Sequence, residues 1–76
     1  MEMNIEDVFI YAEMGISEQI ERTKKEMGEI EFYRYLGRST EEQEERYKKL
    51  SVGLGDWKKK LASLKRTARE NNIRIL

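Results

Sequence analysis

The sequence predicts an all-α protein, an antiparallel two-helix hairpin with coiled-coil-like packing. Three observations lead to this prediction: an apolar stripe at helical spacing in each half of the chain, a glycine followed by helix-capping residues between the halves, and the absence of proline. Because proline is the strongest helix breaker, its absence allows long helices on both sides of a turn. We expect one domain over residues 1–76, with a helix over about 5–36, a turn at 37–39 and a helix over about 40–72.

The first helix is predicted from an apolar stripe in the amino-terminal half. Its members recur at intervals of three and four, which places them on one face of an α-helix. They are Ile5, Phe9, Ala12, Ile16, Ile20, Thr23, Met27 and Ile30. Asn4 precedes the stripe and is a residue type that caps helix amino termini. One alternative stays open, in which a short first helix ends at Gly15 and Ser17 caps the next.

The turn is predicted near the middle of the chain. Gly37 can adopt the left-handed conformation that ends many helices. Two capping boxes are available to begin the next helix, Ser39 with Glu42 and Thr40 with Gln43. Either one predicts a second helix that begins within a few residues of Gly37.

The second helix is predicted from an unbroken heptad pattern. Its apolar positions are Tyr47, Leu50, Leu54, Trp57, Leu61, Leu64 and Ala68. Gly53 and Gly55 lie within it, and a break there with Asp56 as a new cap is the alternative. We favour a continuous helix because the heptad phase does not slip, and we expect these glycines to let another backbone come close.

Folding the chain back at Gly37 places the two stripes opposite each other. The spacing between successive apolar residues of the first stripe then nearly matches the spacing in the second stripe read in reverse. The predicted seam within the chain consists of Phe9, Ala12, Ile16, Ile20, Met27, Ile30, Tyr47, Leu50, Leu54, Trp57, Leu61, Leu64 and Ala68. Charge supports this register, because residues 1–21 are acidic and residues 57–76 are mainly basic. We expect Glu13 to pair with Lys65 at the rim of the seam.

The chain has 76 residues, so one core supplies little stability, and it contains no cysteine or histidine to form a disulfide or a zinc site. Oligomerisation is the remaining common reinforcement. Several apolar residues are unused by the seam, and we interpret them as an interface with a second copy or a partner: Val8, Ile10, Tyr11, Met14, Phe32, Tyr33, Tyr35, Leu36, Ile73, Ile75 and Leu76. The simplest assembly is a homodimer that forms a four-helix bundle.

Catalytic and membrane functions have little support in the sequence. The acidic cluster Glu41, Glu42, Glu44 and Glu45 suits the first turn of a helix, where acids complement the helix dipole. We therefore expect no catalytic residues, no metal and no cofactor. No apolar run approaches the length of about 20 residues that spans a bilayer, and the acidic amino terminus does not resemble a signal peptide. We expect a cytoplasmic protein that does not bind membranes.

These observations favour a non-enzymatic protein-interaction module, a small adaptor, regulator or inhibitor that presents a helical surface to a larger partner. One alternative is a nucleic-acid-binding regulator that uses the basic face Lys58–Arg74, with Lys59, Arg66 and Arg69 as its contacts. Another is an assembly scaffold of the kind that phages encode. In layout the chain is similar to small dimeric helical-hairpin bundles that serve as regulators, inhibitors or scaffolds.

Overall fold

The protein consists of two long α-helices that pack side by side. The structure, a computed structural model, describes residues 4–73 and contains α1, Ile5–Tyr35, and α2, Glu41–Glu70. Side chains of α1 and α2 meet in three polar pairs near the turn, Glu26 with Arg46, Glu31 with Tyr47 and Arg34 with Glu44. The predicted all-α hairpin is confirmed. Its overall dimensions are 51 × 23 × 17 Å, so it is a rod about one helix deep and two helices wide.

The amino end of α1 is capped as the sequence predicts. The side-chain oxygen of Asn4 accepts a hydrogen bond from the backbone N–H of Glu6 at 3.0 Å. This bond satisfies one of the backbone donors that a helix start leaves without a partner. Glu6 and Asp7 lie in the first turn, where their negative charges complement the positive end of the helix dipole.

The turn begins with a Schellman motif. Gly37 has φ +69°, the N–H of Gly37 donates to the carbonyl of Arg34 at 3.0 Å, and the N–H of Arg38 donates to the carbonyl of Tyr33 at 2.9 Å. The capping box that follows is Thr40 with Gln43. The Thr40 hydroxyl accepts from the Gln43 N–H at 3.1 Å, and the Gln43 side chain accepts from the Thr40 N–H at 2.9 Å.

The carboxyl end of α2 falls short of the predicted residue 72. Asn72 has φ +56°, and the Ile73 N–H turns back to donate to the carbonyl of Ala68 at 2.7 Å. This second Schellman motif uses asparagine where Gly37 serves in the first, and it ends the helix at Glu70. Ile73, predicted for an interface, is folded back and only 8% exposed, so in the single chain it caps the core. Ile75 and Leu76 of the predicted interface lie outside the described residues.

The contact between the helices follows the two predicted stripes. Every residue of the predicted seam is buried or half-buried, and Ile20, Ile30 and Ala68 are the most buried among them. Ile5, the first residue of the first stripe, is 61% exposed, because it lies at the amino end of α1, before Phe9, where the seam begins. The buried core of residues 4–73 is small, and no side chain in it is fully enclosed.

Both helices run without interruption through their glycines. Ser17 does not cap a new helix, because its hydroxyl donates to the Glu13 carboxylate at 3.0 Å within a continuous α1. The alternative of a break at Gly15 is therefore wrong. Within this chain no backbone approaches Gly53 or Gly55, since a Cβ added at either glycine meets no atom within 4 Å.

Replacing Gly53 and Gly55 by alanine is expected to stabilise the protein by roughly 0.5 to 1 kcal/mol each, because helical alanine loses less backbone entropy than glycine. Gly37→Ala is the matched control and is expected to destabilise, because its φ of +69° strains any residue with a Cβ. Urea unfolding at one fixed protein concentration measures all three variants. Destabilisation by Gly53→Ala would show that the site is filled by something beyond this chain.

Ile20→Ala is expected to lower the free energy of unfolding by about 2 kcal/mol or more, through lost apolar burial and the cavity left behind. Ile20 is 6% exposed, whereas Ile5 on the same helix is 61% exposed, so Ile5→Ala is a chemically identical control. We expect that control to change stability little. Equal effects of the two substitutions in thermal unfolding would contradict the placement of the seam.

Candidate functional site

Large apolar side chains that face solvent are concentrated on α1. Among residues 4–73 the exposed ones on α1 and its carboxyl cap are Ile5, Val8, Tyr11, Met14, Phe32, Tyr33, Tyr35 and Leu36. On α2 only Val52 belongs to this class. Ile10, also predicted for an interface, is half-buried. The candidate interaction surface therefore belongs to one helix rather than to both.

This surface has two parts. The amino-terminal cluster consists of Val8, Tyr11 and Met14, and the turn cluster consists of Phe32, Tyr33, Tyr35 and Leu36. At 3.6 residues per turn, Tyr11, Met14, Phe32 and Leu36 lie on the side of α1 opposite the seam. Both clusters therefore contribute side chains to the outer face of α1, which α2 does not cover.

The turn cluster adjoins a shallow concavity. Its floor is Gly28, and its walls are Lys25, Glu29, Phe32 and Tyr33, around a volume of about 440 Å³. Phe32 and Tyr33 meet edge to face, with ring centroids 6.2 Å apart. Because all these residues belong to α1, the concavity is a notch created by the missing side chain of Gly28. It is open to a side chain from another molecule.

Polar contacts between the helices hold the turn end in place. The Arg34 guanidinium makes two hydrogen bonds to the Glu44 carboxylate, at 2.7 and 3.1 Å, and lies 4.4 Å from the centre of the Tyr47 ring. The Tyr47 hydroxyl donates to Glu31 at 2.6 Å. These contacts orient the last turn of α1 and, with it, the turn cluster.

The same contacts shift three pKa values. The hydrogen bond from Arg34 lowers the pKa of Glu44, with a smaller contribution from Ser39, and the partnership raises the pKa of Arg34. The hydrogen bond to Glu31 is the main reason that the pKa of Tyr47 is raised. These shifts stabilise the charged forms of Arg34 and Glu44 and the neutral form of Tyr47.

The expected Glu13–Lys65 ion pair is absent within residues 4–73. Glu13 accepts a hydrogen bond from Ser17 instead, and the ion pairs that join the helices are Arg34–Glu44 and Arg46–Glu26, both nearer the turn. An exposed lysine gains little from such a pair and loses side-chain entropy, so a hydroxyl one turn away competes successfully.

The basic face of α2 is exposed, as its charges require. Lys58, Lys59, Arg66 and Arg69 all face solvent, and Arg74 lies outside the described residues. Trp57 is half-buried in the seam, with the Lys60 ammonium 4.6 Å from its ring centre. The only tryptophan is thus partly covered on both sides, which reduces its value as a platform for stacking bases.

Two further features bear on the kind of site. Within residues 4–73, no group of three or more acidic, histidine or cysteine side chains is placed to hold a metal ion. Neither helix, over its described length, is apolar and long enough to cross a bilayer.

Comparison with models of known protein families, with curated proteins and with solved structures finds no match to this chain.

The Arg34–Glu44 pair predicts a pH-dependent contribution to stability. Because the pKa of Glu44 is lowered on folding, its contribution is present above the unfolded glutamate pKa of about 4.3 and is lost as the pH falls through the lower folded value. Glu44→Gln should therefore be less stable than the wild type at pH 7, and this gap should close towards pH 3. Urea unfolding at the two pH values measures it.

Glu45→Gln is the matched control, since no ion pair within residues 4–73 involves Glu45. A gap of the same size for both variants would mean that the Arg34–Glu44 pair has no special role.

Proposed function

We propose that this protein is a non-enzymatic protein-interaction module that acts as a homodimer and presents a helical surface to a larger protein. The observation that supports this proposal most strongly is the pair of apolar clusters on the outer face of α1. Tyr11 is 63% exposed and Phe32 is 60% exposed in the single chain. Large exposed apolar patches are typical of surfaces that bind other proteins.

The small core supports the same proposal. Within residues 4–73 only Ile20, Ile30, Ala68 and Ile73 are buried, because two helices cover only one stripe of each other. A domain of this size usually requires a further source of stability. Burying the clusters of α1 against another chain supplies it.

The proposal assigns no catalytic role to any residue. The chain lacks histidine and cysteine, the side chains that most often act as a proton carrier or a nucleophile near neutral pH. Two of the carboxylates near the turn take part in ion pairs, in which Glu44 binds Arg34 and Glu26 binds Arg46. Both pairs join the two helices of the hairpin.

Nucleic-acid binding through Lys59, Arg66 and Arg69 is the second candidate, because all three side chains are exposed on α2. Two observations favour the protein-interaction module over it. The net charge of the chain is zero, so there is little general attraction to phosphate. In addition, the exposed aromatic residues lie on α1, away from these basic side chains of α2.

Affinity capture from cells of the native host, followed by mass spectrometry, tests the proposal. The bait is the wild type, the variant Tyr11→Ser/Phe32→Ser, or the control Val52→Ser, which changes an equally exposed apolar residue on α2. We expect one protein to be recovered with the wild type and the control, and to be lost with the double variant. Nuclease treatment should not change the result.

Recovery that disappears after nuclease treatment, or with Lys59→Glu/Arg66→Glu/Arg69→Glu, would instead support nucleic-acid binding. Equal recovery with all three baits would exclude the outer face of α1 from partner binding. Circular dichroism of each bait checks that the hairpin is folded.

A further inference from the structure

Three pairs of residues on α1 lie symmetrically about the midpoint between Glu21 and Arg22. Tyr11 corresponds to Phe32, Gly15 to Gly28, and Glu18 to Lys25. Aromatic thus corresponds to aromatic, glycine to glycine, and acid to base. Such a pattern matches the helix to a reversed copy of itself.

The members of this pattern lie on one accessible face. Tyr11, Glu18, Lys25 and Phe32 are spaced seven residues apart, and at 3.6 residues per turn they stay within about 30° of one line along the helix. All four are exposed in the single chain, because the seam with α2 lies on the other side of α1. The face is therefore free to receive a second helix along most of its length.

We propose that a second copy of this chain packs its α1 antiparallel against this face, about a two-fold axis at the Glu21–Arg22 midpoint. In this dimer Tyr11 of each copy lies level with Phe32 of the other, and Glu18 lies level with Lys25. The inference rests on the proposed homodimer and deepens it by naming the contacting face, the direction and the register. Because this face lies opposite the seam, two hairpins joined in this way form a row of four helices with the two α1 helices in the centre.

Charge selects the antiparallel direction. A parallel pairing of the same two faces places Glu18 against Glu18 and Lys25 against Lys25, which is repulsive at both levels. The antiparallel pairing places each acid against a base. Within residues 4–73 Lys25 has no carboxylate within 4.0 Å, whereas Glu18 binds Arg22 at 2.7 Å, so Lys25 is available for a partner.

The glycines provide an independent argument. Gly15 and Gly28 lie in helix interiors, where glycine is unfavourable, and a Cβ added at either meets no atom within 4 Å of this chain. In the proposed dimer they lie at the same level on either side of the contact line. There they leave space beside the contact line for side chains of the second copy.

The notch at Gly28 fits the same register. Lys25, Gly28, Glu29 and Phe32 are related as i, i+3, i+4 and i+7, which is the set of four residues that forms a hole for a knob in a coiled coil. Met14 of the second copy lies level with Glu29 and is an exposed, flexible side chain suited to enter the notch. The two-fold axis repeats this contact at the other end of α1.

A second copy is a better occupant than an unrelated helix. An isologous interface requires the surface to be complementary to itself, and the pairs about the Glu21–Arg22 midpoint meet that requirement. A different partner requires no symmetry within α1, so the matched spacing of aromatic residues, glycines and charges has no purpose in that case.

Disulfide cross-linking of single-cysteine variants tests the direction and register, because the natural chain contains no cysteine. Glu18→Cys and Lys25→Cys are each oxidised alone and as an equimolar mixture, with Val52→Cys as an exposed control on α2. Facing residues at the same height on two packed helices approach closely enough to form a disulfide. We expect the mixture to give a Glu18→Cys/Lys25→Cys heterodimer as the main product, and neither variant to cross-link efficiently alone.

Light scattering of the unmodified protein at micromolar concentration separates the possible outcomes, with a dimer giving twice the chain mass of 9.1 kDa. A dimer in which Glu18→Cys cross-links with itself overturns the antiparallel direction. A dimer that forms no cross-link shows that this face of α1 is not the dimer interface, and it leaves the proposed homodimer intact. A monomer at several hundred micromolar overturns both, and circular dichroism confirms that each variant is folded.

Discussion

Each helix in this protein has only one other helix to pack against, and this geometric constraint determines the character of the molecule. A helix is a cylinder, so a single partner covers one stripe and leaves the rest of the surface in water. The seam therefore buries Ile20, Ile30 and Ala68 and only half-buries its other members. Most further apolar residues of α1 are exposed in the single chain, and Ile10 is half-buried.

The polar contacts compensate for this narrow seam mainly at the turn. Two Schellman motifs and a capping box satisfy the helix ends, and Arg34 connects Glu44 and the Tyr47 ring across the hairpin. Exposed ion pairs add little to stability, but several that share one end of a hairpin restrict the register in which the helices meet. The turn end is thus well defined, and it carries one of the two apolar clusters.

The outer faces of the two helices differ in a way that bears on function. The exposed surface of α2 presents charges with the single large apolar residue Val52, whereas that of α1 presents two apolar clusters separated by charged residues. A dimer through α1 would bury the apolar clusters and leave both α2 helices outermost.

The sequence by itself determined the two helices, the amino-terminal cap of α1 and the seam, because these depend on local propensity and on the helical period that stripes reveal directly. Only the tertiary structure decided the rest. It showed that α1 continues through Gly15, that Ile73 folds back onto the chain, and that Glu13 binds Ser17 rather than Lys65. It also showed that the exposed apolar residues of the candidate site belong almost entirely to α1. These outcomes depend on distances between elements and on competition among exposed side chains that differ by less than about 1 kcal/mol, which a pattern of residue types does not resolve.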